Sequence, residues 1–499
     1  MDEIYLSSSI IDFNINKLLT QPLYYQQKAP VGFLFIVKIV VYLFGNKEMS
    51  LRLIPLIMGI LSIFLSIPVS RYFLKGLASI LAIGIICLAP AIIYHSVEIK
   101  QYSTEMCATL LCLYLYIHFK KRQKLLQLLT WGIIGAIIIW FSYSSIFILA
   151  GIALGVSLYR LLNKQWSLVL LGFIPFAIWF ISFVINYLLF THKHAESEWI
   201  AYWFRAYNNF MPLPPKSITD LKWFAVNIYR LMDYPLGLTW NSSEFKLDNL
   251  FGIIIKVPFI PILLLLAGIY FFLKERQEIF YIIISSLTLI FFASGLELYP
   301  LTERFWIFIS PVFIILIAKG FQFFSLKFQS LVLSSVLFLL LVAPLLWQSF
   351  FYLKNPNQFY SHKKSFQREV LMFVNKNFRS GDAVYIYWNN KPGYQIYKKM
   401  YELKYTAVVG SDTRNHSVNL EQYNKNLQQD FKKFSSKKRV WLIYNTQFLT
   451  DIGDLIDQPT WYYKSNPSLN LKNQFLEKYY ADKKIETKDI SAQLFIKRK

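Results

Sequence analysis

The chain has 499 residues, of which 55% are hydrophobic, 18% aromatic and only 16% charged, with a formal net charge of +23. Its mean hydropathy is positive and its charged fraction falls well below the ~25% of ordinary globular domains, which argues against a water-soluble protein. Successive apolar runs of about 18 or more residues mark a polytopic α-helical membrane protein, so the positive charge points to membrane lipids or phosphorylated substrates rather than to nucleic acid.

The first thirty residues are the polar exception. Asp2-Glu3 leads into an amphipathic run, with Ile10, Ile11, Phe13, Ile15, Leu18 and Leu19 set among Asp12, Asn14, Asn16 and Lys17, and the segment ends at Lys28-Ala29-Pro30. Met1 is followed by acids rather than by a basic region and an apolar core, so no cleavable signal peptide is read. Val31 to Phe44 is apolar but only fourteen residues long. At ~1.5 Å per residue it falls short of a ~30 Å hydrocarbon core, and an interfacial or partly inserted helix closed by Gly45-Asn46 is expected.

Leu51 to Phe73 is long enough to span, and its end near Arg71 and Lys75 is cytoplasmic by the positive-inside rule. Alternation then sends Leu77 to Tyr94 outward and Met106 to Phe119 inward, to Lys120-Lys121-Arg122-Gln123-Lys124. Leu125 to Phe141 runs outward, Ile146 to Leu162 inward to Arg160 and Lys164, and Leu168 to Phe190 outward. The more polar stretch Thr191 to Leu250 lies outside. Phe251 to Leu273 returns inward, Ile279 to Ala293 outward, Trp306 to Ala318 inward to Lys319, and Leu331 to Phe351 outward. That gives about ten spans, with the most basic short loops on one side. Asp2-Glu3, the Glu98-to-Glu105 loop, 191–250, 294–305 and the whole tail share the outer face. An external N-terminus with no span before it is unexpected, and a missing upstream helix or a start codon placed too late is the expected explanation.

From about Lys354 the character changes. Ala383 to Tyr387, Tyr405 to Val409 and Val440 to Tyr444 read as strands, and Tyr394 to Tyr401 and Asn419 to Phe434 as helices. Such alternation predicts a small α/β layer with parallel strands. The expected domains are 1–50, a first outer loop with juxtamembrane helices; 51–351, the transmembrane helices; and 352–499, a soluble extracytoplasmic α/β domain.

Three groups of residues could carry chemistry. Asp2-Glu3 lies at the outer surface of a membrane slab, where a carboxylate is costly unless paired or used, and a positioned carboxylate can act as general base on a hydroxyl. The polar stretch from His95 to Glu105 brings Glu98, Gln101/Tyr102 and Glu105 to one face if it is helical. A hydrated loop is the plainer reading. Lys28 and Arg304 lie on the acid-bearing face, where they could hold a phosphate as it becomes a leaving group or could simply snorkel. His192 and His194 lack a third ligand at metal spacing, so a divalent metal has no support and no cofactor is assigned. Cys87, Cys107 and Cys112 all fall in apolar spans and read as packing residues.

Taken together, five pieces resemble the GT-C fold membrane glycosyltransferases, in particular bacterial relatives of the dolichyl-phosphate-mannose protein mannosyltransferases and the lipid A aminoarabinose transferases. The pieces are Asp2-Glu3; Lys28-Ala29-Pro30-Val31-Gly32-Phe33; Phe44-Gly45 with Leu51-Arg52-Leu53-Ile54-Pro55; Tyr94 to Glu105; and Tyr299-Pro300 with Arg304-Phe305.

The resemblance implies transfer of a sugar from a polyprenyl-phosphate carrier to an extracytoplasmic lipid, glycan or protein acceptor, with inversion at the anomeric carbon. On it, Asp2 or Glu3 is the base, Glu105 stands in the place of the second acid, Lys28 and Arg304 bind the donor phosphate, and Glu98, Lys100 and Tyr102 support them. The first membrane helix of the family is absent. Gln27 stands where some relatives have an acidic metal ligand, so no metal is carried over. A ligase or polymerase using diphosphate-linked oligosaccharides, a lipid or sugar transporter, and a membrane-anchored binding module remain alternatives.

Overall fold

The computed structural model describes residues 2–192, 198–240, 256–356, 365–445, 459–465, 467–476 and 478–498. The chain forms two compact units. One comprises Met1–Asp12, Leu23–Gln27 and His362–Lys499, the other Phe13–Pro22 and Lys28–Ser361.

The larger unit is helical. After the short helix α2 (Ile15–Thr20) come α3 (Val31–Phe44), α4 (Glu48–Phe73), α5 (Leu77–Leu88), α6 (Pro90–His95), α7 (Tyr102–Phe119), α8 (Leu125–Phe141), α9 (Ser145–Leu162) and α10 (Trp166–Asn186). Then follow α11 (Glu198–Ala206), α12 (Ile218–Asp233), α13 (Phe259–Glu275), α14 (Gln277–Gly295), α15 (Ser310–Phe328) and α16 (Leu331–Lys354).

Among the described residues, six helical segments are long and apolar enough to cross a membrane: Glu48–Phe73, Ser145–Leu162, Trp166–Thr191, Gln277–Gly295, Ser310–Phe328 and Leu331–Lys354. Val31–Phe44, Leu77–Leu88 and Leu125–Phe141 are apolar but shorter. The protein is a multi-pass membrane protein. Its greasy outer surface (Phe64, Leu126, Leu170 and Phe173 are all exposed) is what lipid contact requires.

The bundle packs through small residues, as helices do where lipid removes the hydrophobic drive between them. A Cβ on Gly268 of α13 would lie 1.9 Å from the Leu316 carbonyl oxygen of α15, and one on Gly320 would lie 2.0 Å from that of Leu264. Gly151 and Gly155 of α9 meet Ser286 and Ile282 of α14 in the same manner.

Two expectations for this unit need correction. The run from Leu77 to Tyr94 is not one helix: α5 stops at Leu88 and α6 restarts at Pro90, because proline has no N–H for the preceding turn and is favoured at a first helical position. The helix expected to stop at Ala318 continues to Phe328, and Lys319 is not a loop marker. Lys319 is buried inside α15 and bonds the Glu275 carboxylate at 2.6 Å, so its charge is matched within the bundle.

The smaller unit contains α1 (Asp2–Asp12), α17 (Gln367–Asn377), β1 (Ala383–Ile386), α18 (Lys391–Tyr401), β2 (Val408–Val409), α19 (Leu420–Lys432), β3 (Arg439–Asn445), α20 (Thr460–Ser465), α21 (Pro467–Leu476), β4 (Tyr479–Glu486) and β5 (Ile490–Lys497). The sheet order is β2-β1-β3-β5-β4. β1 runs parallel to both β2 and β3, as expected, but β5 is antiparallel to β3 and to β4, so the sheet is mixed.

Pleat alternation sorts the strand residues between two cores. Val384, Ile386, Trp441 and Ile443 pack with α17 residues Val370 and Leu371, while Tyr385, Tyr387, Val440 and Leu442 pack with Tyr423 and Leu427 of α19. α1 belongs to this unit: its Asp12 carboxylate pairs with Lys399 of α18, and its Ser9 hydroxyl accepts from the Tyr24 amide at 2.9 Å.

Candidate active site

The stretch from His95 to Glu105 is buried, not hydrated. Glu98 is 8% exposed, Lys100 5% and Glu105 6%. It is also not one helix: residues 96–101 turn, and α7 starts at Tyr102, so the shared helical face expected for Glu98 and Glu105 does not form. Buried charge persists only where partners compensate its lost hydration, and here they are present.

Glu98 lies 2.5 Å from His95 Nδ1, and the Tyr234 hydroxyl contacts His95 Nε2 from the end of α12. Burial alone would raise the Glu98 pKa. The hydrogen bond and charge of His95, with the cations Arg304 and Lys100, outweigh it and hold the carboxyl below its ordinary range. The Tyr102 ring packs edge-on against His95 at 5.0 Å, and the Arg304 guanidinium lies 5.9 Å from the centre of that ring.

Arg304 sits in a short 3-10 turn, Glu303–Trp306. The loop leading to it is strained: Glu297 and Glu303 are non-glycine residues at φ 60° and 34°, a cost of the kind that concentrates at functional sites. Contacts from the 198–233 segment hold the loop in place. Arg205 Nε donates to both Glu297 carboxylate oxygens at 2.9 and 3.0 Å, and the Leu301 amide donates to the Asn209 carbonyl at 2.8 Å. The Tyr299 hydroxyl donates to the Phe305 carbonyl at 3.2 Å.

Glu105 lies in the first turn of α7. Its carboxyl is near the Ser144 side chain, in the serine-rich turn between α8 and α9, and it is in electrostatic reach of Tyr143 and Tyr299. The Tyr143 hydroxyl in turn donates to the Ala29 carbonyl at 3.1 Å. Lys28 is half-buried just ahead of α3, and burial lowers its pKa. It has no ion-pair partner among the described residues.

The larger unit thus brings Glu98, Lys100, Tyr102 and Arg304 together, while Tyr143, in electrostatic reach of Glu105, bonds the residue after Lys28. Asp2 and Glu3 open α1 of the smaller unit. His95, Tyr143, Ser144 and Tyr234 were not expected. His95 stands inside the polar stretch and Ser142-Tyr143-Ser144-Ser145 interrupts two apolar runs, so both left a trace in the sequence; Tyr234 left none. His194 lies outside the described residues, while His192 Nδ1 is 3.1 Å from the Tyr187 carbonyl oxygen. Among the described residues no group of three or more His, Cys, Asp or Glu is placed to hold a metal.

No protein-family model matches the chain, and no curated protein matches its sequence. Solved structures do match. The crystal structure of ArnT from Cupriavidus metallidurans bound to undecaprenyl phosphate is similar at a TM-score of 0.50 and 10% identity, over 99% of this chain and 93% of that one. Its apo state gives a TM-score of 0.38 at 12% identity, over the same shares. The complex shows that the chain has an ArnT-like GT-C fold: a multi-pass helical unit with a small C-terminal sheet domain.

Proposed function

We propose that the protein is an inverting glycosyltransferase of the cytoplasmic membrane, which moves a sugar from a polyprenyl-phosphate donor to an extracytoplasmic lipid, glycan or protein acceptor. The observation that carries this reading is the gathering of Arg304 with Glu98 and Tyr102 in the larger unit, which also holds Lys28 and Glu105. The ArnT of similar fold was solved with undecaprenyl phosphate, itself a polyprenyl phosphate, which agrees with a lipid-phosphate donor.

In a single displacement the acceptor hydroxyl oxygen bonds to the anomeric carbon as the bond from that carbon to the donor phosphate oxygen breaks. The hydroxyl proton passes to a carboxylate, and the phosphate leaves with the bonding pair. Glu105, the acid that the larger unit itself supplies, serves as that carboxylate. Arg304 and Lys28 take up the charge that grows on the departing phosphate, the kind of stabilisation that lowers a barrier most when it is aimed in advance. Glu98 attracts the Arg304 charge, and His95, itself in contact with Tyr234, fixes Glu98. No covalent enzyme nucleophile is required.

Purified protein in lipid nanodiscs, given sugars on polyprenyl monophosphate and on polyprenyl diphosphate, tests the reading. Transfer from the monophosphate donor alone, with the opposite anomer in the product, supports it. Transfer only from the diphosphate donor would make the protein a ligase or polymerase, and transfer from neither would refute enzymatic function of this type.

A further inference from the structure

At the other end of α7 from Glu105, about 20 Å along its axis, the larger unit has a cavity of about 190 Å³. It opens between the turn after α7 and the turn joining α9 to α10. Lys120, Lys121, Arg122 and Arg160 ring it, and Phe119, Leu128, Trp131, Leu168 and Leu171 form its apolar wall. It is remote from the candidate active site and takes no part in the chemistry above.

Arg160 is built into the cavity. Its guanidinium donates to the Leu168 carbonyl at 2.7 Å and to the Lys120 carbonyl at 3.4 Å, so one side chain joins both turns. Gly172 makes room for it: a Cβ there would lie 3.1 Å from Arg160 Nη1. Lys120 is partly neutralised by Glu278, 3.9 Å away. Lys121 and Arg122 are exposed, and neither has a carboxylate partner among the described residues. Trp131 is 3% exposed, and its indole N–H has no acceptor among the described residues. Positive charge thus exceeds negative charge, and a buried donor is left over beside an apolar wall.

We infer that this cavity binds the phosphate headgroup of an anionic membrane lipid. A volume of about 190 Å³ is below the ~300 Å³ at which sites for whole drug-sized molecules begin, but it admits a compact phosphate headgroup. Guanidinium and ammonium groups together are the usual means of holding a phosphodiester. Exposed Leu126, Leu170 and Phe173, on the neighbouring α8 and α10, offer the acyl chains an apolar surface next to the headgroup. The turns concerned are the basic ones that charge bias assigns to the cytoplasmic leaflet, where anionic lipids attract such clusters.

Native mass spectrometry of the full chain, delipidated and then titrated with phosphatidylglycerol or phosphatidylcholine, tests this. The wild type should retain phosphatidylglycerol over phosphatidylcholine. Lys121→Gln/Arg122→Gln should weaken phosphatidylglycerol binding tenfold or more and leave phosphatidylcholine unchanged. Gly172→Leu, which pushes a side chain at Arg160, should have the same effect. Should Gly172→Leu fail to fold, the surface pair of substitutions decides the matter. Equal retention of phosphatidylglycerol by wild type and double variant overturns the proposal. So does binding of inorganic phosphate in the same range as phosphatidylglycerol, which would make this a site for soluble anions. Sugar transfer, if measured in the same samples, should be unaffected by the double variant.

Discussion

The Tyr143 hydroxyl donates to the Ala29 carbonyl at 3.1 Å, and this bond ties the residue after Lys28 to the turn that receives Glu105. The cation and the acid come from chain segments more than seventy residues apart, so their spacing depends on such ties. Tyr143→Phe removes one hydrogen bond of about 1 kcal/mol. It should raise the KM for the lipid donor about fivefold with little change in kcat and only a small fall in Tm. An unchanged KM would mean that Lys28 is positioned by other contacts.

Lys28 has its pKa lowered by burial, so it sheds its proton at a lower pH than an exposed lysine. Donor binding should therefore weaken as pH rises, ahead of the ordinary lysine range. Lys28→Arg should abolish that alkaline loss, because a guanidinium keeps its proton throughout. A pH profile of KM for wild type and variant checks this; coincident profiles would exclude Lys28 from the phosphate site.

Glu98 has its pKa depressed in the folded protein. Its contribution to stability is therefore present above the unfolded carboxylate value of about 4.3 and is lost as pH falls through the lower folded value. Thermal melts in detergent should show Glu98→Gln less stable than wild type at neutral pH, with the gap closing in acid. A gap that stays constant down to acid would contradict the ionised pairing of Glu98 with His95, Arg304 and Lys100.

Gly268 and Gly320 each lie under a carbonyl of the opposing helix, at separations no Cβ tolerates. Gly268→Val should lower stability by about 1–3 kcal/mol or more, since α13 and α15 must separate. Gly84, which meets nothing within 4 Å, is the matched control, and Gly84→Ala should melt like wild type.

Much of the helical unit was legible because apolar length and flanking charge leave few choices. Val31–Phe44 and Leu125–Phe141 have the expected limits. Sequence reading failed where tertiary contact overrides local character. Lys319 looks like a helix end until Glu275 is seen beside it, and the hydropathy that joined Leu77 to Tyr94 outweighed the break at Pro90. In the smaller unit, Tyr479-Tyr480-Ala481-Asp482-Lys483-Lys484 gives no strand signal. It is an edge strand whose polar residues are exposed and whose pairing is shifted between Ala481 and Lys484. Around the candidate site, the acids and cations were visible as residue types in polar interruptions. The groups that orient them were not, because Tyr234 and Ser144 reach His95 and Glu105 only through the folded chain.

The most direct measurement is single-turnover sugar transfer from a polyprenyl-phosphate donor by wild type, Arg304→Gln and Glu105→Gln, with donor binding recorded in parallel. Arg304→Gln should lose both donor affinity and rate, while Glu105→Gln should bind donor and lose rate by about 10²-fold or more, the scale of a positioned acid or base. Full activity in both variants would contradict the assignment of these two side chains to the reaction.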